Sequence, residues 1–131
     1  MLETSDLVTL HGPWLASTRH MIGAEEIARM KQGAILINTA RGGLVDDRAL
    51  AEAVRAGKLA GAGLDCVEDE DSPVTKDLMA TPNVLITPHI GGSTADLADA
   101  MIPPIAPIIQ TLAAGGELNN VVNREYLAAG Q

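Results

Sequence analysis

Four short runs of aliphatic and β-branched residues, at 7–10 (LVTL), 34–37 (AILI), 59–64 (LAGAGL) and 84–86 (VLI), constrain this chain more than any other feature. Runs that short and apolar, bounded by polar or glycine-containing sequence, read as buried strands. The segments between them follow a different period. Around GAEEIARMKQG, Ile22, Ile27 and Met30 fall at helical spacing, with Glu25 and Glu26 in the first turn and Lys31 and Gly33 at the end. Acids at the start and a base with glycine at the stop complement the helix dipole, so a short helix is predicted there. In DDRALAEAVRAGK, Asp46 suits an N-cap, Leu50, Ala53 and Val54 share one face, and Gly57 suits a stop, which predicts a second helix. Strands alternating with helices imply right-handed crossovers and a parallel sheet covered on both faces. The fold class read from this alternation is α/β.

The third connection, 66–83, contains DEDSP and KDLMATPN, shows no long helical period, and reads as an extended loop. After His89, Ser93 and Asp96 stand in capping-box spacing, so a helix is expected to begin at Ser93. Pro103, Pro104 and Pro107 are then expected to kink or end it, since proline has no N–H to donate. The stretch from Gly115 to Asn123 reads as loop, with a final turn over 124–129.

Composition removes several function classes. A net charge of -8 and a pI near 4.6 argue against nucleic acid, which is bound by neutralising phosphates. Trp14 and Tyr126 are the only aromatics besides the histidines, too few for base-stacking platforms. The apolar stretch from Met101 to Leu112 is short and holds three prolines, so no membrane span is expected. Cys66 is the only cysteine, which rules out an internal disulfide and a cysteine metal cage and suits a reducing, cytoplasmic setting. No metal site is expected. The opening MLETSDLVTL lacks the basic and apolar regions of a secretory signal.

Open parallel sheets bind ligands beyond the carboxyl ends of their strands. The residues directly after the four predicted strands are His11, then Thr39, Ala40 and Arg41, then Asp65, then His89. Gly42 and Gly43 after Arg41 allow backbone to approach a ligand closely. A guanidinium presented there can grip a carboxylate with two parallel hydrogen bonds. His89, between Pro88 and Ile90-Gly91-Gly92, suits proton transfer near neutral pH. The acidic run Glu68, Asp69, Glu70, Asp71 could supply a carboxylate to orient its imidazole. For most of that run, a solvated loop is the plainer reading.

The succession SDLVTLHGP, TRHMIGAEEIARMKQGAILINTARGGLVDDRAL, LAGAGLDCVEDE and PNVLITPHIGGST resembles the D-isomer-specific 2-hydroxyacid dehydrogenases, in particular the phosphoglycerate dehydrogenase, glyoxylate reductase and hydroxypyruvate reductase branch. The resemblance implies the C-terminal part of a Rossmann-like, doubly wound sheet over 1–92, with a crossover helix and tail over 93–131 returning towards a substrate domain. It implies NAD as cofactor, leaving NADP open, a small 2-keto or 2-hydroxy acid as substrate, and a homodimer in the full-length context. Arg41 corresponds to the substrate-binding arginine, Glu70 to the catalytic glutamate, and His89 to the acid/base histidine. Asp65 resembles the residue that hydrogen-bonds the nicotinamide carboxamide. Thr39, Ala40 and the turn His89, Ile90, Gly91, Gly92 resemble cofactor-lining segments, and His11 a position flanking the cofactor.

Three departures stand out. Glu70 is followed by Asp71 rather than proline, the helix after TPHIGG meets prolines, and no GxGxxG occurs anywhere. The phosphate loop and ribose-binding acid of the family lie upstream of a segment like 5–10. The expectation is therefore a fragment of roughly the last two-fifths of a family member, one that binds NAD weakly by itself. The alternative reading is an inactive dinucleotide-binding or dimerising module derived from the same family.

Overall fold

A computed structural model of the chain describes residues 1–119 and 121–124. Its elements run β1 (Leu7–Leu10), α1 (Ala24–Arg29), β2 (Ala34–Asn38), α2 (Asp47–Arg55), β3 (Leu59–Leu64), α3 (Pro73–Met79), β4 (Val84–Ile86) and α4 (Leu97–Ala113). The four strands form one parallel sheet in the order β1-β2-β3-β4. All four predicted strands are present, β2 one residue longer than expected. The expected final turn over 124–129 lies, beyond Arg124, outside the described residues.

The chain divides into two compact units, Met1–Gly91 and Gly92–Gln131. In the first, alternate strand residues point to one face, where Val8, Leu10, Leu36, Ala62 and Leu64 meet Ile27 and Met30 next to α1, Leu50 and Val54 of α2, and Leu78 of α3. Leu36, Leu50 and Leu78 are fully buried, and each such side chain contributes about 1.5–3 kcal/mol of hydrophobic stabilisation. The opposite face was expected to be covered too. In the described residues it is not: Leu7, Ile35 and Leu85 are each more than a third exposed.

Helix α2 follows its sequence signals closely. The Asp46 carboxylate accepts from the amides of Arg48 and Ala49, and Gly57 ends the segment in the left-handed conformation, at φ 70°. The third connection corrects the expectation of an extended loop, because it contains α3. Ser72 caps it through the Thr75 amide and Pro73 occupies its first turn, a start signal independent of apolar period. Only two residues of that helix, Thr75 and Leu78, are buried, so a seven-residue element left little periodicity to read.

In the second unit α4 spans 17 residues and starts at Leu97, not at Ser93. Asp96 occupies the N-cap position without a side-chain cap hydrogen bond. The Ser93 spacing was therefore a coincidence of sequence. Nor do the prolines end the helix: Pro103, Pro104 and Pro107 all lie inside it. Each removes a hydrogen bond the helix would otherwise make. No residue of α4 is buried, and no helix among the described residues is long and apolar enough to cross a membrane.

Candidate active site

The carboxyl ends of the strands converge on one cavity of about 860 Å³ in the first unit. β1 delivers His11 to Trp14, β2 delivers Ala40 to Gly43, β3 delivers Cys66 to Glu68, and β4 delivers His89. Parallel strands make this happen, because all four chains leave the sheet at the same edge.

Arg41 is presented by a turn built on Asn38, the last residue of β2, whose side chain is fully buried. Its amide nitrogen donates to the Arg41 carbonyl at 2.9 Å, and its amide oxygen accepts from Ala40 N at 3.1 Å. A short 3-10 turn, Gly42–Leu44, comes next. A Cβ on Gly42 would overlap the Val67 carbonyl, so glycine is the residue that position admits, whereas one on Gly43 would meet the half-exposed Trp14 indole, which would have to shift. The Arg41 guanidinium is exposed, donates to the Ala40 carbonyl at 2.6 Å, and forms no ion pair with any carboxylate among the described residues. It is free to meet an incoming anion.

His89 sits on a turn held from below by Asp65, which is 6% exposed. One Asp65 oxygen accepts from the Thr87 hydroxyl and from Ile90 N at 3.0 Å, and the other accepts from Gly91 N at 2.7 Å. The Thr87 hydroxyl and the two amides hold the Asp65 carboxyl below the usual carboxylate range. His89 itself adopts a left-handed backbone, φ 54°. A side chain other than glycine persists there only when its surroundings fix it, and such strain gathers at functional sites. Near β1, Thr9 Oγ1 lies 3.0 Å from His11 Nε2 and orients that ring.

The acidic run separates by what each carboxylate already holds. Glu68 accepts from Arg19 Nη2 at 2.9 Å and Nε at 3.1 Å through one oxygen, and from His20 Nε2 at 2.8 Å through the other. Partial burial alone would push the Glu68 carboxyl up, but those two partners outweigh it and hold it down. Asp69 accepts from the Asp71 amide, and Asp71 lies 3.8 Å from Lys76 Nζ. Glu70 has no hydrogen bond or ion pair among the described residues. It lines a separate cavity of about 130 Å³ with Asp65, Thr87 and Pro88, the residue that precedes His89.

Of the residues singled out from sequence, the structure therefore brings His11, Ala40, Arg41 and His89 into one cavity. Asp65, Ile90 and Gly91 form the turn beneath His89, Glu70 lines the neighbouring cavity, Thr39 is exposed outside the cavity lining, and Gly92 belongs to the second unit. Sequence reasoning missed Trp14, Asn38 and the partners of Glu68. The first had a signal: the only tryptophan lies four residues past the end of β1.

A free guanidinium, an imidazole and an apolar wall of Pro13, Trp14 and Val67 can hold a small carboxylate and exchange a proton with it. Ala40, Cys66 and Val67 line the same cavity and can border a flat, weakly polar ring such as nicotinamide. The residues present fit the reacting end of a dinucleotide. The sequence contains no GxGxxG to cradle its pyrophosphate.

Comparison with known proteins shows which family the chain resembles. Residues 1–91 match the family model for the D-isomer specific 2-hydroxyacid dehydrogenase, NAD binding domain. A D-3-phosphoglycerate dehydrogenase of Methanocaldococcus jannaschii is 43% identical over 94% of this chain and 23% of its own length. A glyoxylate reductase of Thermococcus litoralis is 40% identical over 98% of the chain and 39% of its own length. The crystal structure of a D-isomer specific 2-hydroxyacid dehydrogenase from Lactobacillus delbrueckii ssp. bulgaricus, in its NAD complexed form, superimposes with a TM-score of 0.81 at 38% identity, covering 93% of this chain and 41% of that one. The chain thus spans between about a quarter and two-fifths of the length of these relatives.

Proposed function

This chain belongs to the D-isomer specific 2-hydroxyacid dehydrogenase family, and from that premise we propose that it carries the anion-gripping and proton-transferring part of an NAD-dependent site that interconverts a 2-keto acid and a D-2-hydroxy acid. NAD, when bound, supplies or accepts the hydride. Arg41 holds the substrate carboxylate through its planar fork and lends positive charge to the oxygen on which charge develops. In the reducing direction the His89 imidazolium gives its proton to the carbonyl oxygen, and in the oxidising direction neutral His89 takes the hydroxyl proton. Glu70 orients His89 from the side of Pro88. Support for choosing Glu70 is that Glu68, Asp69 and Asp71 already hold partners while Glu70 holds none among the described residues. Asp65, Ile90 and Gly91 keep the His89 turn in place, and His11, Thr39 and Ala40 flank the cofactor.

One observation carries this reading: Arg41 and His89 line the same cavity. Oxamate, a stable 2-keto acid analogue, provides the test. Titrated into the isotopically labelled chain, it should shift the amides of Gly42, Gly43 and His89 saturably, and Arg41→Ala should abolish those shifts without unfolding the protein. Shifts that survive Arg41→Ala, or that arise away from the cavity, contradict the proposal.

Two further parts of the reading concern the setting. The exposed apolar residues of α4, among them Ile102, Ile109 and Leu112, support association of two copies, and sedimentation equilibrium measures it. The single cysteine, Cys66, is buried and free, with its thiol pushed up by burial, which suits a reducing cytoplasm.

A further inference from the structure

Glu68 lines the same cavity as Arg41, yet it makes no hydrogen bond or ion pair with Arg41. Both oxygens face the segment that comes after Trp14. One takes the forked pair from Arg19 and the other takes His20. The other ring nitrogen of His20 stands 3.9 Å from Asp46, beyond hydrogen-bonding distance, so Glu68 is the carboxylate that holds the imidazole.

His20 is also where the backbone is strained. It adopts φ 51°, left-handed for a residue with a side chain. From that strained point the chain runs beside the Arg41 turn: His20 N donates to the Gly43 carbonyl at 2.8 Å, Ile22 N to the Leu44 carbonyl at 3.0 Å, and Asp46 N to the Ile22 carbonyl at 3.1 Å. A short parallel bridge joins Ile22 to Val45. The loop that bears Glu68 also abuts this turn, since the Gly42 position leaves no room against Val67 and Glu68. Three chain segments that are distant in sequence thus meet at the Arg41 turn, and Glu68 supplies the charged tie between two of them.

From this arrangement we infer that Glu68 is a positioning residue for Arg41: by pairing with Arg19 and His20 it holds the 19–22 segment against Gly43 and Leu44, and so fixes the turn that presents the guanidinium to a carboxylate ligand. The inference rests on the proposed role of Arg41 for its functional meaning. It is also economical electrostatically. A carboxylate left unpaired in this cavity would compete for Arg41 with any incoming anion, whereas Glu68 spent on Arg19 and His20 leaves Arg41 free. A surface ion pair by itself contributes little. A forked pair joined to a second partner and holding a strained residue acts on local geometry more than on global stability.

Native-state amide hydrogen exchange of the chain, without ligand, separates this inference from the proposed function. Glu68→Gln keeps the side-chain shape and removes the charge. The amides of His20, Ile22, Leu44 and Asp46 should exchange at least about tenfold faster, as expected when charge-assisted hydrogen bonds are lost. The amides of Leu36, Ala62 and Leu64 in the sheet should keep their rates. Arg19→Met, a change at an exposed partner, should give the same pattern and stands in if Glu68→Gln does not fold. Unchanged rates at His20 and Leu44, or an equal acceleration throughout the sheet, overturn the positioning role. Absence of oxamate binding in the earlier titration would instead remove the proposed function and leave this result intact.

Discussion

The turn that carries Arg41 is held by a neutral amide, Asn38, whereas the turn that carries His89 is held by an anion, Asp65. Both holders stand at the carboxyl end of a strand and both are nearly or fully buried. An amide offers a donor and an acceptor, so Asn38 satisfies a carbonyl and an N–H of the same turn and the backbone needs no unusual conformation. An ionised carboxylate only accepts. The His89 turn must therefore aim successive N–H groups inward, and it does so with His89 in the left-handed region and its neighbours donating to Asp65. The lesson is that the turn presenting Arg41 stands on a pH-indifferent support and the turn presenting His89 on a charged one.

Mutations can break or sharpen that contrast. The largest effect is expected at Gly42. Its added Cβ would meet backbone of Val67, which cannot swing aside, so Gly42→Ala should cost about 3 kcal/mol or more in chemical denaturation, or prevent folding. Asn38→Ala comes next, because it strands the Arg41 carbonyl and the Ala40 amide in a buried place. A loss of about 2–3 kcal/mol is expected in the same assay.

Asp65→Asn is gentler and local. The amides of Ile90 and Gly91 should exchange about tenfold faster while those of Ala40 and Leu44 hold steady. The same contrast appears without mutation as pH is lowered. Because the folded Asp65 carboxyl lies below its ordinary value, its support is complete above about pH 4 and is lost only as pH falls through that depressed value. Protection at Gly91 should then decline before protection at Ala40; a simultaneous decline would erase the distinction between the two turns. Gly91→Ala should be mildest. Its Cβ would approach an Asp65 oxygen, at 2.8 Å, and a side-chain atom can yield, so about 1 kcal/mol is expected.

Much of this architecture was legible in the sequence. The strands were short, apolar and sharply bounded, and α2 carried its cap and its stop as explicit residues, so both were read correctly. Arg41 and His89 were visible because position after a strand is itself a signal in a parallel sheet. The short α3 escaped because its start lies in Ser72 and Pro73, not in an apolar period. Helix α4 differs from its sequence signals in two respects: it begins at Leu97 without a side-chain cap, and its three prolines lie inside it and do not end it. Asn38, Arg19 and His20 were invisible for another reason: their partners lie across turns or, for Glu68, 48 and 49 residues away, and no local spacing encodes them.

The central claim is that one ligand is met by Arg41 and His89 together, and a crystal structure of the chain soaked with oxamate tests it most directly. The account predicts the oxamate carboxylate within hydrogen-bonding distance of the Arg41 guanidinium while the amide carbonyl oxygen of the same molecule, which stands in for a keto oxygen, faces the His89 imidazole. An oxamate gripped by Arg41 with its amide carbonyl turned away from His89, or seated in another cavity altogether, would contradict it.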